Sequence, residues 1–187
     1  MPDREVRQIH DSKVLAAMSH PVRRRLMDVL SVYGPATASA LAERTGQAVG
    51  NISHHLKVLA ASELVEEAPE LARDKRERWW RRPKQGLAWS STDFEDDPVA
   101  EAAESLSLER ANRLARAWFA NRLSYPEEWH DVGFDADIWL RLSVSEIDEL
   151  KDKILDLITP LAHRKVPDDG QEREPVFFSA RAVPGKP

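Results

Sequence analysis

The chain has 187 residues, 42% hydrophobic and 32% charged, with no cysteine and a formal net charge of −5. That length suits one generous domain or two small ones, and the missing cysteines exclude disulfides and thiolate metal sites. No apolar run reaches the roughly 18–20 residues that a membrane span requires, and "MPDREVRQIHDSK" at the start lacks the apolar segment of a secretory signal, so a cytoplasmic protein with no membrane partner is expected.

The net charge hides an asymmetry. Residues 1–90 hold 15 Lys+Arg against 11 Asp+Glu, whereas residues 91–187 hold 12 against 21. Opposite signs in the two halves fit a basic N-terminal surface followed by an acidic second module.

The first helical pattern is "HDSKVLAAMS", with Val14, Leu15 and Met18 on one face. In "HPVRRRLMDVLSVYG", Pro21 suits the first turn of a new helix, where its missing N–H costs nothing. Val22, Leu26, Val29 and Leu30 then recur at helical spacing until Gly34-Pro35 stops the run. "TASALAERTG" predicts a short helix capped by Thr37, with Ala40 and Leu41 inward and Gly46 past its end. The chain restarts almost at once as a helix over residues 48–62. Two short helices joined by a tight, glycine-containing turn make a helix-turn-helix signature.

"LVEEAPE" and "RERWWRRP" read as two short strands around the charged turn "LARDKR". Seven Lys+Arg against two acids lie between Leu71 and Lys84, so this hairpin, residues 71–82, reads as a basic wing. After the acidic loop "TDFEDDP", a long helix is expected from Pro98 to Leu123, with its apolar face shifting or the helix bending near Ser105–Leu108. "IWLRLSV", residues 138–144, alternates as a half-buried strand. A final helix capped by Ser145 carries Ile147, Leu150, Ile154, Leu157, Ile158 and Leu161, and "PVFFSARAV" reads as a last strand.

The adjacent histidines in "GNISHHLKVL" decide how the 48–62 helix is used. With Ile52 at zero and about 100° per residue, Val49, Leu56 and Leu59 fall within about 60° of it and define a buried face. His54 lands near the opposite pole, flanked by Gly50, Asn51 and Lys57, while His55 sits on the shoulder of the buried face. The rings diverge, so the two do not chelate one metal. Gln47, Gly50, Asn51, Ser53, His54 and Lys57 form the outward set. Asn and Gln pair bidentately with adenine, Lys and His donate to guanine acceptors or phosphate, and Gly50 permits close approach. Those are the residue types of a recognition helix; an ordinary solvated helix face is the plainer alternative. His55 reads as a packed histidine. In the wing, Arg73, Lys75, Arg76 and Arg78 are candidates for phosphate or minor-groove contacts, against a merely solubilising hairpin.

The motifs "LAAMSHPVRRRLMDVL", "TASALAERTGQAVGNISHHLKVLAASELVEE" and "RERWWRRP" together resemble the ArsR-type winged helix-turn-helix transcriptional regulators, in the bacterial branch without sensor cysteines, over about residues 10–90. The C-terminal half is similar to an extension found on some of these regulators. The resemblance implies a homodimeric, winged helix-turn-helix repressor on a palindromic operator in double-stranded DNA, with the DNA-reading positions on Gln47, Gly50, Asn51, Ser53, His54 and Lys57. Ala48 departs from the Ser that commonly caps the recognition helix, and the absent cysteines remove soft-metal sensing in the family's founding manner.

The expected architecture is therefore mainly α with small β: a winged helix-turn-helix domain over residues 10–92 and a C-terminal α/β dimerisation or effector region over residues 98–183. Ala111, Leu114, Ala115 and Trp118 form the stripe expected to meet a second copy. Trp118, Phe119, Trp129, Phe134, Trp139, Phe177 and Phe178 are candidates to line a pocket for a small organic effector, with core packing as the plainer reading. His130-Asp131 and His163, with Glu127 and Glu128 nearby, lack metal-ligand spacing, and neither metal nor cofactor is expected. No Gly-rich phosphate loop, GxSxG, HExxH or DxDxDG motif occurs, so an enzyme is not expected. The alternative is a winged-helix module for protein–protein assembly, which has no need of a basic wing.

Overall fold

A computed structural model describes residues 5–74 and 76–186, apart from the side chain of Ser91. Lys75, one of the expected wing cations, lies outside the described residues. The chain divides into two compact units, one running through Leu108 and one starting at Glu109.

The first unit is built on short helices whose ends are written in the sequence. After strand β1 (Val6–Gln8), helix α1 (Ser12–Ser19) begins where Asp11 accepts a hydrogen bond from the Lys13 amide at 2.8 Å. Helix α2 (Pro21–Tyr33) takes Pro21 in its first turn and has His20 at its N-cap. A short strand β2 (Ala36–Thr37) leads directly into α3 (Ala38–Thr45), whose Thr37 hydroxyl accepts from the Ala40 amide at 3.3 Å. Gly46 ends α3 in the left-handed region at φ 67°, a conformation that costs a side-chain-bearing residue more than it costs glycine. The chain then turns at once into α4 (Val49–Ala61), whose N-cap, Ala48, supplies no side-chain bond.

Leu15, Leu26, Leu41, Ile52, Leu56 and Leu59, contributed by all four helices, are almost completely buried and form the centre of one apolar core. Strand β3 (Glu66–Glu67) and β4 (Trp79–Arg81) pair antiparallel with Glu67 opposite Trp80, and β4 also pairs with β2, giving the order β2-β4-β3. The expected hairpin is therefore present, with a 3-10 turn at Pro69–Leu71 inside its loop. Trp80 turns into the core and Trp79 is half-buried. Strand β5 (Gly86–Ala88) lies parallel to β1, a pairing with no warning in the sequence because three residues are too few to show alternation.

Helix α5 (Pro98–Asn121) runs unbroken through the stretch where a bend was expected. The shift of its apolar face matches a change of surroundings instead. Ala100 and Ala103 are buried in the first unit's core, whereas Ala111, Leu114 and Trp118 are half-buried and Ala115 is exposed.

In the second unit, α5 is followed by 3-10 turns at Arg122–Ser124 and Glu127–Trp129 and by α6 (Val144–His163). Two expectations are corrected here. Ser143, not Ser145, caps α6: the Glu146 amide donates to the Ser143 hydroxyl at 3.3 Å while the Ser143 amide donates to the Glu146 carboxylate at 2.7 Å. The reciprocal pair requires an acid three residues after the cap, which Ser143 has in Glu146. Residues 138–144 and 175–183, expected as strands, form no ladder, and Val144 opens α6 instead. Alternation decides which face a strand would bury, but a strand exists only where a neighbour accepts its backbone hydrogen bonds. Among the described residues, the second unit has no fully buried side chain. No helix among them is long and apolar enough to cross a membrane.

Candidate nucleic-acid interface

Helix α4 packs on α2 and α3 through Ile52, His55, Leu56 and Leu59, and this fixes what the opposite edge presents. Gln47, Gly50, Asn51, His54 and Lys57 are all exposed, and Ser53 is half-buried at the margin. Beyond its own helix backbone and chain neighbours, no described residue comes within 4 Å of where a Cβ on Gly50 would stand, so this point of the helix is open to close approach by a large partner. The Asn51 side-chain amide donates to the Gln47 side-chain carbonyl at 3.0 Å. That bond orients Asn51 while leaving its own carbonyl and second N–H available, the pair of groups that meets adenine in the major groove. One assignment on this helix is corrected. Val49, placed on the buried face by angle alone, is 46% exposed. It stands at the first position of the helix, whereas Ile52, three residues on, is fully buried.

Both ends of α4 are tied to other elements. At its start, the Gln47 amide donates to the Ala42 carbonyl of α3 at 3.0 Å, closing the turn between the helices. At its end, the Arg7 guanidinium donates to the Ser62 and Glu63 carbonyls at 2.9 and 3.2 Å and pairs with the Glu63 carboxylate at 3.0 Å. A cation at a helix C-terminus satisfies orphan carbonyls and complements the helix dipole. Sequence reading missed this role for Arg7, since the two partners lie far apart in the chain.

The wing is organised by its own acids. Asp74 accepts from the Arg76 and Glu77 amides at 2.7 and 3.1 Å, and Glu77 accepts from the Arg73 amide at 2.8 Å, which pins the loop between β3 and β4. Arg78 pairs with Glu67 at 3.5 Å, and Arg81 with Glu66 at 2.6 Å and with Glu70. These bonds hold the Arg81 guanidinium above its ordinary range, the hydrogen bond it donates to Glu66 contributing most. Among the described residues, the exposed side chains of Arg73 and Arg76 make no ion pair. Of the four expected wing cations, then, these two have no ion-pair partner among the described residues, Arg78 is paired with Glu67, and Lys75 is not described.

The triplet Arg23, Arg24, Arg25 divides its work. Arg23 donates to the Ala17 and Ala16 carbonyls at 2.6 and 3.2 Å, clasping the end of α1 to the start of α2. Arg24 faces Asp28 one turn on, at 3.7 Å. The sequence offered no way to separate a clasp from a phosphate contact.

The two histidines of α4 part as the helical angles require: His54 is exposed and His55 is 8% exposed. His55 stacks instead on His20, ring centroids 4.8 Å apart. Among the described residues, no group of three or more His, Asp or Glu is placed to hold a metal ion. In the second unit, His130 donates through Nε2 to the Tyr125 carbonyl at 2.8 Å. Of the candidate effector-pocket residues, Trp118 meets Tyr125 at 5.3 Å and Phe177 lies under the Arg110 guanidinium at 4.6 Å. Phe119, Phe134, Trp139, Phe177 and Phe178 are exposed and Trp129 is half-buried.

No curated protein matches the chain. Among solved structures, it is similar to a double mutant of Lactococcus lactis ZitR in its apo form, at 14% identity and a TM-score of 0.36, over 76% of this chain and 83% of that one. A family profile described as a helix-turn-helix domain matches residues 18–68, the span from the end of α1 to just past β3. Residues 18–68 are a helix-turn-helix domain, and that domain supports a DNA-binding transcription regulator.

Proposed function

We propose that the chain is a sequence-specific regulator of the ArsR type, acting as a homodimeric repressor on a palindromic operator. The observation that carries this reading is the exposed edge of α4. It presents Gln47, Asn51, His54 and Lys57 around an open Gly50, on a helix tied at both ends to the rest of its domain. A rigid scaffold behind polar side chains is what base reading needs, because discrimination depends on donors and acceptors being in place before contact. Arg73 and Arg76 of the wing supply cations for phosphate, which position the domain and carry no sequence information.

The dimer is expected along α5, where Ala111, Leu114, Ala115 and Trp118 lie together beyond the part of the helix used by the first unit's core. The aromatic side chains of the second unit are the candidate seat of a small organic effector.

The test is selection of bound duplexes from a random pool by the purified chain, followed by affinity measurements over a salt series. A palindromic consensus with half-sites about 10 bp apart is expected. Arg76→Ala should reduce the salt slope by about one unit. Recovery of no consensus, with weak binding of equal strength on every duplex, would replace this reading with a winged-helix assembly module.

A further inference from the structure

His20 and His55 sit on different elements and meet on the buried side of α4. His20 stands between α1 and α2 at the N-cap of α2, where its side chain makes no capping bond. His55 comes from the inward shoulder of α4. The rings lie 4.8 Å apart with an interplanar angle of 39°, and Nδ1 of each is buried without a hydrogen-bond partner. A neutral imidazole tolerates such a contact. An imidazolium carries two N–H donors and a full charge, and an unpartnered donor without access to water is costly.

The surroundings make a charge there worse. From α2, Arg23 acts on both rings, and it is held in place by its bonds to the Ala17 and Ala16 carbonyls of α1. From α4, His54 stands 5.5 Å from His55, edge to face. His20 also occupies the positive end of the α2 dipole. Among the described residues, the neighbours acting on the pair are cationic or can become so: Arg23, His54 and each histidine on the other. Burial first, and these neighbours second, hold both imidazoles below their ordinary value of 6.5.

We propose that the His20–His55 pair is a proton-sensitive seat for the recognition helix: α4 docks on the α1–α2 junction with both rings neutral, and acidification weakens that docking and with it sequence-specific DNA binding. The last step rests on the DNA-reading assignment of α4; the seat itself does not. The docked state holds fewer protons than the undocked one, so the stabilisation is complete above 6.5 and is lost as pH falls toward the docked-state values. Neither histidine belongs to the exposed edge, so the pair acts on DNA binding only through the position of α4.

The experiment has two arms on the full chain. In the first, histidine ring and α4 amide signals are followed by NMR through an acid titration without DNA. Both rings should titrate below 6.5, and the α4 amides should move with the same midpoints. In the second, affinity for a duplex selected at neutral pH is measured at about pH 7.5 and about pH 5.5 for the native chain and for His20→Asn/His55→Gln. The native chain should lose on the order of tenfold more affinity than the double variant over that interval. Equal losses, or rings titrating at or above 6.5, would overturn the proposal. If the double variant does not fold, the native titration decides alone. A native chain that selects no duplex removes the DNA-reading assignment, and the DNA-free titration still decides the seat.

Discussion

Asn51 and Gln47 share a hydrogen bond across one helical turn, and that bond gives the two side chains different tasks. Asn51 projects from α4 with its amide already oriented, while Gln47 commits its side-chain carbonyl to holding it. An amide aligned before contact loses less freedom on meeting a base edge than one that must be ordered at that moment. Asn51→Ala should therefore cost on the order of 1–3 kcal/mol of affinity and relax specificity at one base step. Gln47→Ala should relax the same step at the smaller cost of about 0.5–1.5 kcal/mol typical of one hydrogen bond. Binding to the selected duplex and its single-base variants measures both. Loss of equal size on every sequence would instead make Asn51 a phosphate contact. The outward set, the divergence of His54 from His55 and the missing cap at Ala48 were all legible in the sequence, since each follows from spacing along one helix. The His20–His55 stack and the Arg7 cap were not. Each joins positions on separate elements, and no local pattern encodes such a pairing.

At the scale of elements, α3 and α4 work as a unit held by one feature at the start of α3 and two in the turn between the helices. Thr37 fixes the start of α3, Gly46 releases it at a positive φ, and the Gln47 amide bonds back to the Ala42 carbonyl. Removing the first of these should weaken the whole domain, because α3 carries the nearly fully buried Leu41 into the same core as Ile52, Leu56 and Leu59. Thr37→Ala is expected to destabilise by about 1 kcal/mol, with Thr37→Ser nearly neutral. Urea unfolding reads this as a lower midpoint at an unchanged slope; an equal loss in both variants would place the contribution in the Thr methyl group instead of the cap. Helix existence and type were legible from periodicity, and the wing from its alternation and charge. Strands β1, β2 and β5 escaped because they are defined by partners remote in the chain, whereas β3 and β4 form a local hairpin. The reverse error fell at residues 138–144 and 175–183, where the alternation is present and the ladder is not.

At the scale of the molecule, the two units differ in kind. The first buries large side chains from each of α1 to α4 around one centre. The second carries amphipathic α6 with Leu157 and Leu161 exposed, and none of its described side chains is fully buried. A unit of that kind gains stability from whatever covers it, which fits the proposed assignment of dimerisation to the C-terminal half. Sedimentation should give a dimer for the native chain. Leu114→Asp, placing a charge in the α5 stripe, should shift it toward monomer and weaken operator binding, since one recognition helix alone reads a half-site. A native monomer that still binds a full operator tightly would remove α5 from this role.

By itself, the sequence determined the helix-turn-helix, the basic wing and the edge of α4 that faces outward. Helical periodicity, capping residues and turn glycines act over a few neighbours, so their consequences can be read without a fold. Only the tertiary structure decided which polar groups are spent inside the domain: Arg23 clasping α1, Arg7 closing α4, Arg81 tied to Glu66 and Glu70, and His55 stacked on His20. A charge or an imidazole is a binding group or an internal brace according to what stands within hydrogen-bond reach. That distance is set by packing between elements remote in the chain.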